Sequence, residues 1–120
     1  MNKKKENMDW NKFEEGIKII VKQIKKSKTI IDGIYGIPRG GLIPAVRLSH
    51  LLKIPLTMIV TPCTLIVDDV ADTGKTLSNW KYNKIATLYY KPHSLIKPDF
   101  YAFETKKWIV FPWEVSKRRK

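Results

Sequence analysis

Cysteine is nearly absent from this 120-residue sequence, where Cys63 stands alone. No intrachain disulfide is possible, and no zinc cluster can be built on the cysteines of one chain, so a reducing compartment fits best. Long hydrophobic runs are missing as well. The longest uncharged stretch, Ile54 to Val67, has 14 residues and contains Pro55 and Pro62, which is short of the roughly 20 apolar residues that span a bilayer. Met1 to Asp9 is polar and lacks the apolar segment of a secretory signal. The expectation is a soluble, cytoplasmic protein with no membrane partner. Acidic residues are scarce too: 11 Asp and Glu face 23 Lys and Arg, for a net charge of +12. The excess sits at the ends, with nine Lys against four acids over residues 1–28 and six basic groups against Glu114 over residues 106–120. A basic skin on a nearly neutral middle attracts polyanions in general, phosphorylated metabolites and nucleic acid alike, without naming one. Solubilising termini account for it just as directly, so the tail Lys117-Arg118-Arg119-Lys120 assigns nothing by itself.

Internal repeats, low-complexity stretches and linkers are also lacking. A chain of this length, 43% hydrophobic and 11% aromatic, is one globular domain over residues 1–120. Asp9 is placed to cap a helix of about 15–18 residues, because Trp10, Phe13, Ile17, Ile20, Val21 and Ile24 recur at three- and four-residue steps. Ile34 to Ile37 reads as a strand entering the turn Pro38-Arg39-Gly40-Gly41. Leu42 to Leu52 reads as a second helix, with Pro44 tolerated in its first turn. Two strand-like runs follow, Leu56 to Val60 and Thr64 to Val67, separated by Thr61-Pro62-Cys63. Asp72 to Thr76 feeds a short helix reaching about Tyr82. Ile85 to Tyr90, Phe100 to Phe103 and Trp108 to Phe111 are further strands. Strands alternating with helices predict an α/β domain with a mostly parallel sheet flanked by helices.

The strongest chemical signal is Thr64-Leu65-Ile66-Val67-Asp68-Asp69-Val70-Ala71-Asp72-Thr73-Gly74-Lys75-Thr76. A buried strand ends in paired carboxylates at its C-terminal edge, which is where open α/β sheets bind ligands. Adjacent acids in such a place repel each other, so ligand hydroxyls or a metal ion would satisfy them. The small and hydroxylated residues that follow precede a helix, so backbone N–H groups and the Thr73 and Thr76 side chains can converge on a phosphate. Asp72 beside an anion site makes sense only if it does chemistry. Gly74-Lys75-Thr76 matches the end of a P-loop, but that pattern needs a glycine five positions before Gly74, where Asp69 stands. A plain Asp- and Thr-rich surface turn does not explain the hydrophobic strand and its paired acids. A second glycine loop, Gly36-Ile37-Pro38-Arg39-Gly40-Gly41, also lies between a strand and a helix. Its glycines admit an anion to the backbone, and Arg39 adds a delocalised charge suited to two phosphate oxygens.

From Gly33 to Glu114 the chain resembles the type I phosphoribosyltransferases, and within them the small xanthine-guanine and hypoxanthine branch. The resemblance implies a minimal version of that fold. It also implies that Asp68 and Asp69 hold the ribose hydroxyls of phosphoribosyl pyrophosphate (PRPP), directly or through Mg²⁺, with Asp69 the metal residue, itself or through water. Asp72, Thr73, Gly74, Lys75 and Thr76 would wrap the 5′-phosphate, and Arg39 and Gly40 would meet the pyrophosphate. The family often has a cis peptide in that loop, and Pro38 bears on which bond it is. Lys91 would donate to the 6-oxo group of a purine and Trp108 would stack on its ring. The Ile109 carbonyl and Glu114 would face the base edge or support a second metal. Asp72 would lie near N7 as general acid or base. Core or dimer packing is the alternative use of Trp108 and Trp113.

The resemblance thus implies transfer of ribose 5-phosphate from PRPP to N9 of hypoxanthine, guanine or xanthine, with Mg²⁺ as cofactor and a homodimer as the working form. One departure stands out. The family usually carries a longer hood between the second helix and the Asp68 strand, which closes over PRPP and excludes water, whereas Thr61-Pro62-Cys63 is all that separates two strands here. The alternative reading is therefore a PRPP- or nucleotide-binding regulatory protein without catalysis, contacting nucleic acid through its basic termini. His50 and His93 receive no assignment.

Overall fold

The computed structural model describes residues 4–114, and the tail Lys117-Arg118-Arg119-Lys120 lies outside the described residues. Helix α1 (Trp10–Ser27) begins where the sequence places it, with the Asp9 side chain accepting the Lys12 amide at 2.8 Å. Its buried stripe is Phe13, Gly16, Ile17, Ile20 and Ile24, and it stops at Lys28, whose left-handed φ of 56° ends the helical ladder. Gly16 is tied to its position, since a Cβ there would stand 3.0 Å from the Phe103 ring.

Four strands, β2 (Gly33–Gly36), β3 (Thr64–Ala71), β4 (Ile85–Tyr90) and β5 (Phe100–Glu104), form a sheet in sequence order, every neighbour parallel. A second, two-stranded parallel sheet pairs β1 (Lys5–Asn7) with β6 (Trp108–Val110). Helix α2 (Leu42–Leu52) packs on β2 and β3 and α1 on β4 and β5, and the two helices touch. The Arg47 guanidinium joins them by donating to both oxygens of Glu14 at 2.9 and 2.7 Å. A 3₁₀ turn, Leu77–Trp80, closes a second apolar cluster with Ile66, Ala71 and Ile85. Leu65, Ile66 and Val67 are all buried, as expected for a parallel strand covered on both faces.

Several boundaries differ from expectation. Leu56 to Val60 is not a strand: it reduces to one parallel bridge between Leu56 and Ile34. Thr57 diverts the backbone, its hydroxyl donating to the Ile59 carbonyl and accepting the Ile59 amide, so Met58 and Ile59 stand 89% and 76% exposed. The helix expected to reach Tyr82 is only the 3₁₀ turn, consistent with the weak helix propensity of Ser78 and Asn79 and with the Ser78 hydroxyl donating back to the Lys75 carbonyl. Strand β3 does not end in the paired acids but runs on through them to Ala71. Strand β1 has no sequence signal at all. Its polar residues are held by β6, with the Trp108 amide donating to the Lys4 carbonyl and the Met8 amide to the Val110 carbonyl.

Candidate active site

Parallel strands put all their C-terminal ends on one edge, and the predicted residues meet there. The loop after β2 turns sharply: the Ile37 amide donates to the Val67 carbonyl at 2.9 Å, and the Gly41 amide closes back on the Ile37 carbonyl at 2.8 Å. The Pro38–Arg39 peptide in this loop is cis. A Cβ on Gly40 would collide with the Asp69 carboxylate, and one on Gly41 with the Val67 carbonyl. The glycines therefore let the loop lie directly against β3. Arg39 is exposed at its tip.

Asp68 and Asp69 are half-buried within β3. The Asp69 amide donates to Asp68 Oδ1 and the Val70 amide to Asp69 Oδ1. These bonds favour the charged forms, but burial, followed by the Asp69 charge, holds the Asp68 carboxyl well above the usual carboxylate range. Burial raises Asp69 as well, with Glu114 adding repulsion. A pair in this state is poised for a counter-charge. Both donors are oxygens, which suits a hard cation, and among the described residues no group of three or more His, Cys, Asp or Glu is arranged to hold one alone. Two carboxylates completed by substrate oxygens match the way Mg²⁺ is commonly bound.

Beyond Ala71 the chain forms the loop Asp72 to Thr76. Gly74 has φ +86°, and a Cβ there would meet the Leu95 and Ile96 amides at 2.7 and 2.8 Å. The loop is tied to the segment after β4 by the Leu95 amide donating to the Thr73 carbonyl. Thr73 Oγ1 accepts the Lys75 amide, and the Ser78 amide donates to the Gly74 carbonyl. Among the described residues, no hydrogen bond uses the amides of Gly74, Thr76 and Leu77. Three unspent amides beside exposed Thr73, Lys75 and Thr76 are the kind of backbone arrangement that can accept an anion.

The neighbouring strand end supplies the rest. Lys91 is 5% exposed. Its Nζ lies 3.5 Å from Asp72 Oδ2 and 5.5 Å from the centre of the Trp108 ring. His93, unassigned from sequence, places Nε2 2.6 Å from Asp72 Oδ1. Burial pushes the Asp72 carboxyl up, but the His93 and Lys91 contacts outweigh it and hold the group below its usual value. In β6 the Trp108 amide and the Val110 carbonyl bond to the β1 side. Backbone groups alternate along a strand, so the Ile109 carbonyl turns the other way. Glu114 Oε1 accepts the Phe111 amide at 3.2 Å, which folds the end of this segment toward Asp69. Trp113 stacks on Phe111 at 4.9 Å and touches Phe13 and Trp10, so its role is packing.

Asp72, Lys91, Trp108 and His93 form one group, and Gly40, Asp69 and Glu114 form another beside it. Among the described residues, no side-chain hydrogen bond or ion pair joins Arg39 to either group. His93 carries no motif; the signal is its position two residues beyond Lys91, and that becomes informative only once β3 and β4 are adjacent. The connection Thr61-Pro62-Cys63 leads into the N-terminal end of β3, opposite the acids, so it does not cover the site. Clefts of about 310 and 280 Å³, one beside Tyr82 and Leu95 and the other beside Asp32 and Thr57, include none of the predicted site residues.

No family model matches the chain. It is 32% identical over 115 residues to a xanthine-guanine phosphoribosyltransferase from Cereibacter sphaeroides, covering 69% of each chain. It is 28% identical to the enzyme of the same name from Desulfotalea psychrophila, covering 91% of this chain and 86% of that one. Among solved structures, a purine phosphoribosyltransferase from Pyrococcus horikoshii Ot3 superposes with a TM-score of 0.82 at 39% identity, over 97% of this chain and 98% of that one.

Proposed function

The chain belongs to the type I phosphoribosyltransferases, in their small xanthine-guanine-like branch, and from that premise we propose how its strand-end site performs purine salvage. PRPP lies across the edge. Its 5′-phosphate sits on the Gly74, Thr76 and Leu77 amides with the Thr73 and Thr76 hydroxyls, its ribose hydroxyls on Asp68 and Asp69, and its pyrophosphate on the loop of Arg39 and Gly40. A 6-oxopurine enters between Trp108, which stacks on the ring, and Lys91, which donates to the 6-oxo group. The Ile109 carbonyl and Glu114 face the other edge of the base. As the bond from C1′ to pyrophosphate breaks, its electron pair stays on the pyrophosphate oxygen, the N9 lone pair bonds to C1′ and Asp72 takes the N7 proton. Mg²⁺, held by Asp69 and substrate oxygens, would supply charge stabilisation for the departing pyrophosphate.

The observation that carries this reading is the Asp72–Lys91 contact, with Trp108 over the ammonium, beside the paired acids on the adjacent stretch of β3. Binding without transfer is the other reading and rests on the short connection before β3. The Pyrococcus protein, named a purine phosphoribosyltransferase, has nearly the same span, which favours transfer. A cytoplasmic homodimer accompanies the proposal, supported by the exposed apolar Leu42, Val46, Met58 and Ile59, and sedimentation of the purified chain tests the dimer. Asp72→Asn tests the mechanism: transfer should fall about 100-fold or more, while calorimetry still detects PRPP binding. Undiminished transfer in that variant would remove Asp72 from the chemistry.

A further inference from the structure

The Asp72 carboxylate is engaged on both oxygens, and the two partners differ in kind. Oδ2 faces the buried Lys91 ammonium at 3.5 Å, a long contact on the side of the Trp108 ring. Oδ1 is bound at 2.6 Å by Nε2 of His93, which is 59% exposed and opens to solvent. A short bond to one oxygen fixes the carboxylate plane, leaving the other to meet a ring lying between Lys91 and Trp108. We propose that His93 is a positioning residue for the purine proton transfer: it orients Asp72 through Oδ1 so that Oδ2 takes the N7 proton, and the charge on its ring sets how well Asp72 can do so. The inference rests on the phosphoribosyl-transfer reading.

The sign follows from electrostatics. The charged groups facing Asp72 are Lys91, from the end of β4, and His93, from the loop after it. An imidazole is the side chain that can gain or lose its charge near neutrality. While His93 is protonated, it stabilises the carboxylate and opposes proton uptake. Once it is neutral, Nε2–H still donates to Oδ1 and keeps the geometry, but the added charge is gone and Asp72 becomes the stronger base. The proton moves from N7 to Oδ2 and later to water, and no further reactant is needed.

Single-turnover rates measured from acid to alkaline pH test this, using PRPP, Mg²⁺ and whichever of hypoxanthine, guanine and xanthine the wild type turns over fastest. Wild type should lose rate as the pH falls, with part of that acid limb contributed by His93. His93→Gln keeps a donor for Oδ1 and cannot titrate, so the acid limb should shrink to the part set by the raised Asp68 carboxyl, while the alkaline plateau stays within about threefold of wild type. His93→Ala loses the orientation too, and its plateau should fall by about tenfold, part of the range that general base catalysis supplies, with PRPP affinity unchanged. An acid limb unchanged in position and depth in His93→Gln, or a His93→Ala variant equal to wild type at every pH, overturns the inference and leaves the functional reading standing. Absence of nucleotide from the wild type itself would instead overturn the functional reading and this inference with it.

Discussion

Lys91 is almost wholly buried, and a buried ammonium persists only where its charge is answered. Here Asp72 and the Trp108 face answer it. Lys91→Met should raise KM for the base about tenfold or more, the cost of losing a charged hydrogen bond, and leave PRPP affinity nearly intact; equal losses for both substrates would place Lys91 outside the base site. Glu6 presents a different case. Its carboxylate accepts from the Tyr89 hydroxyl at 2.7 Å and from Lys12 at 3.1 Å. Burial pushes its pKa up, yet those bonds prevail and hold it below the ordinary 4.5, while burial and Glu6 together push the Tyr89 hydroxyl up. A depressed folded-state pKa stabilises the fold fully above the unfolded value and loses that contribution as pH falls through the folded one. Glu6→Gln should therefore melt below wild type at neutral pH, with the gap closing in acid below about pH 4; a gap that persists in acid would show that charge is not what Glu6 contributes. The acids of the site were legible because Asp68, Asp69 and Asp72 share one contiguous segment. His93 and Glu6 were not, since their partners lie 21 and 83 positions away along the chain.

At the scale of elements, α1 follows the periodicity of its apolar residues, α2 and β4 follow apolar-rich runs, and Asp9 caps α1 as its residue type suggests. Local pattern failed where a side chain captured the backbone, as Thr57 does in the run after Pro55, and where a strand is held only by its partner, as β1 is. The glycine loops are read better by what a side chain would strike. Gly74→Ala forces an L-residue into positive φ, about 1–2 kcal/mol, and drives its Cβ into the Leu95 and Ile96 amides. A lower melting temperature with weaker PRPP binding is expected by scanning calorimetry and titration; unchanged PRPP binding would mean that this loop is not the phosphate cradle. In the core, Ile17 is fully buried, and Ile17→Ala should cost about 2–5 kcal/mol in denaturant unfolding.

For the whole molecule, the edge that gathers the C-terminal ends of β2, β3 and β4 holds Asp68, Asp69, Asp72 and Lys91, with Trp108 brought to it from β6, while the connection shortened relative to the family's hood lies at the other end of the sheet. The site is thus open, with exposed Arg39, Thr73, Lys75 and Trp108 around it. Charge acts on the same scale. The net +12 favours any polyanion, so binding to nucleic acid should be weak and should fall steeply with added salt, while nucleotide synthesis at saturating PRPP falls far less. The most direct measurement is chromatographic: purified protein with PRPP, Mg²⁺ and hypoxanthine, guanine or xanthine in separate reactions, with product nucleotide and pyrophosphate both quantified. The expected result is a nucleoside monophosphate from at least one base, matched mole for mole by pyrophosphate. No nucleotide from any of the three, in a protein that calorimetry shows to bind PRPP, would contradict transfer and leave a binding protein in its place.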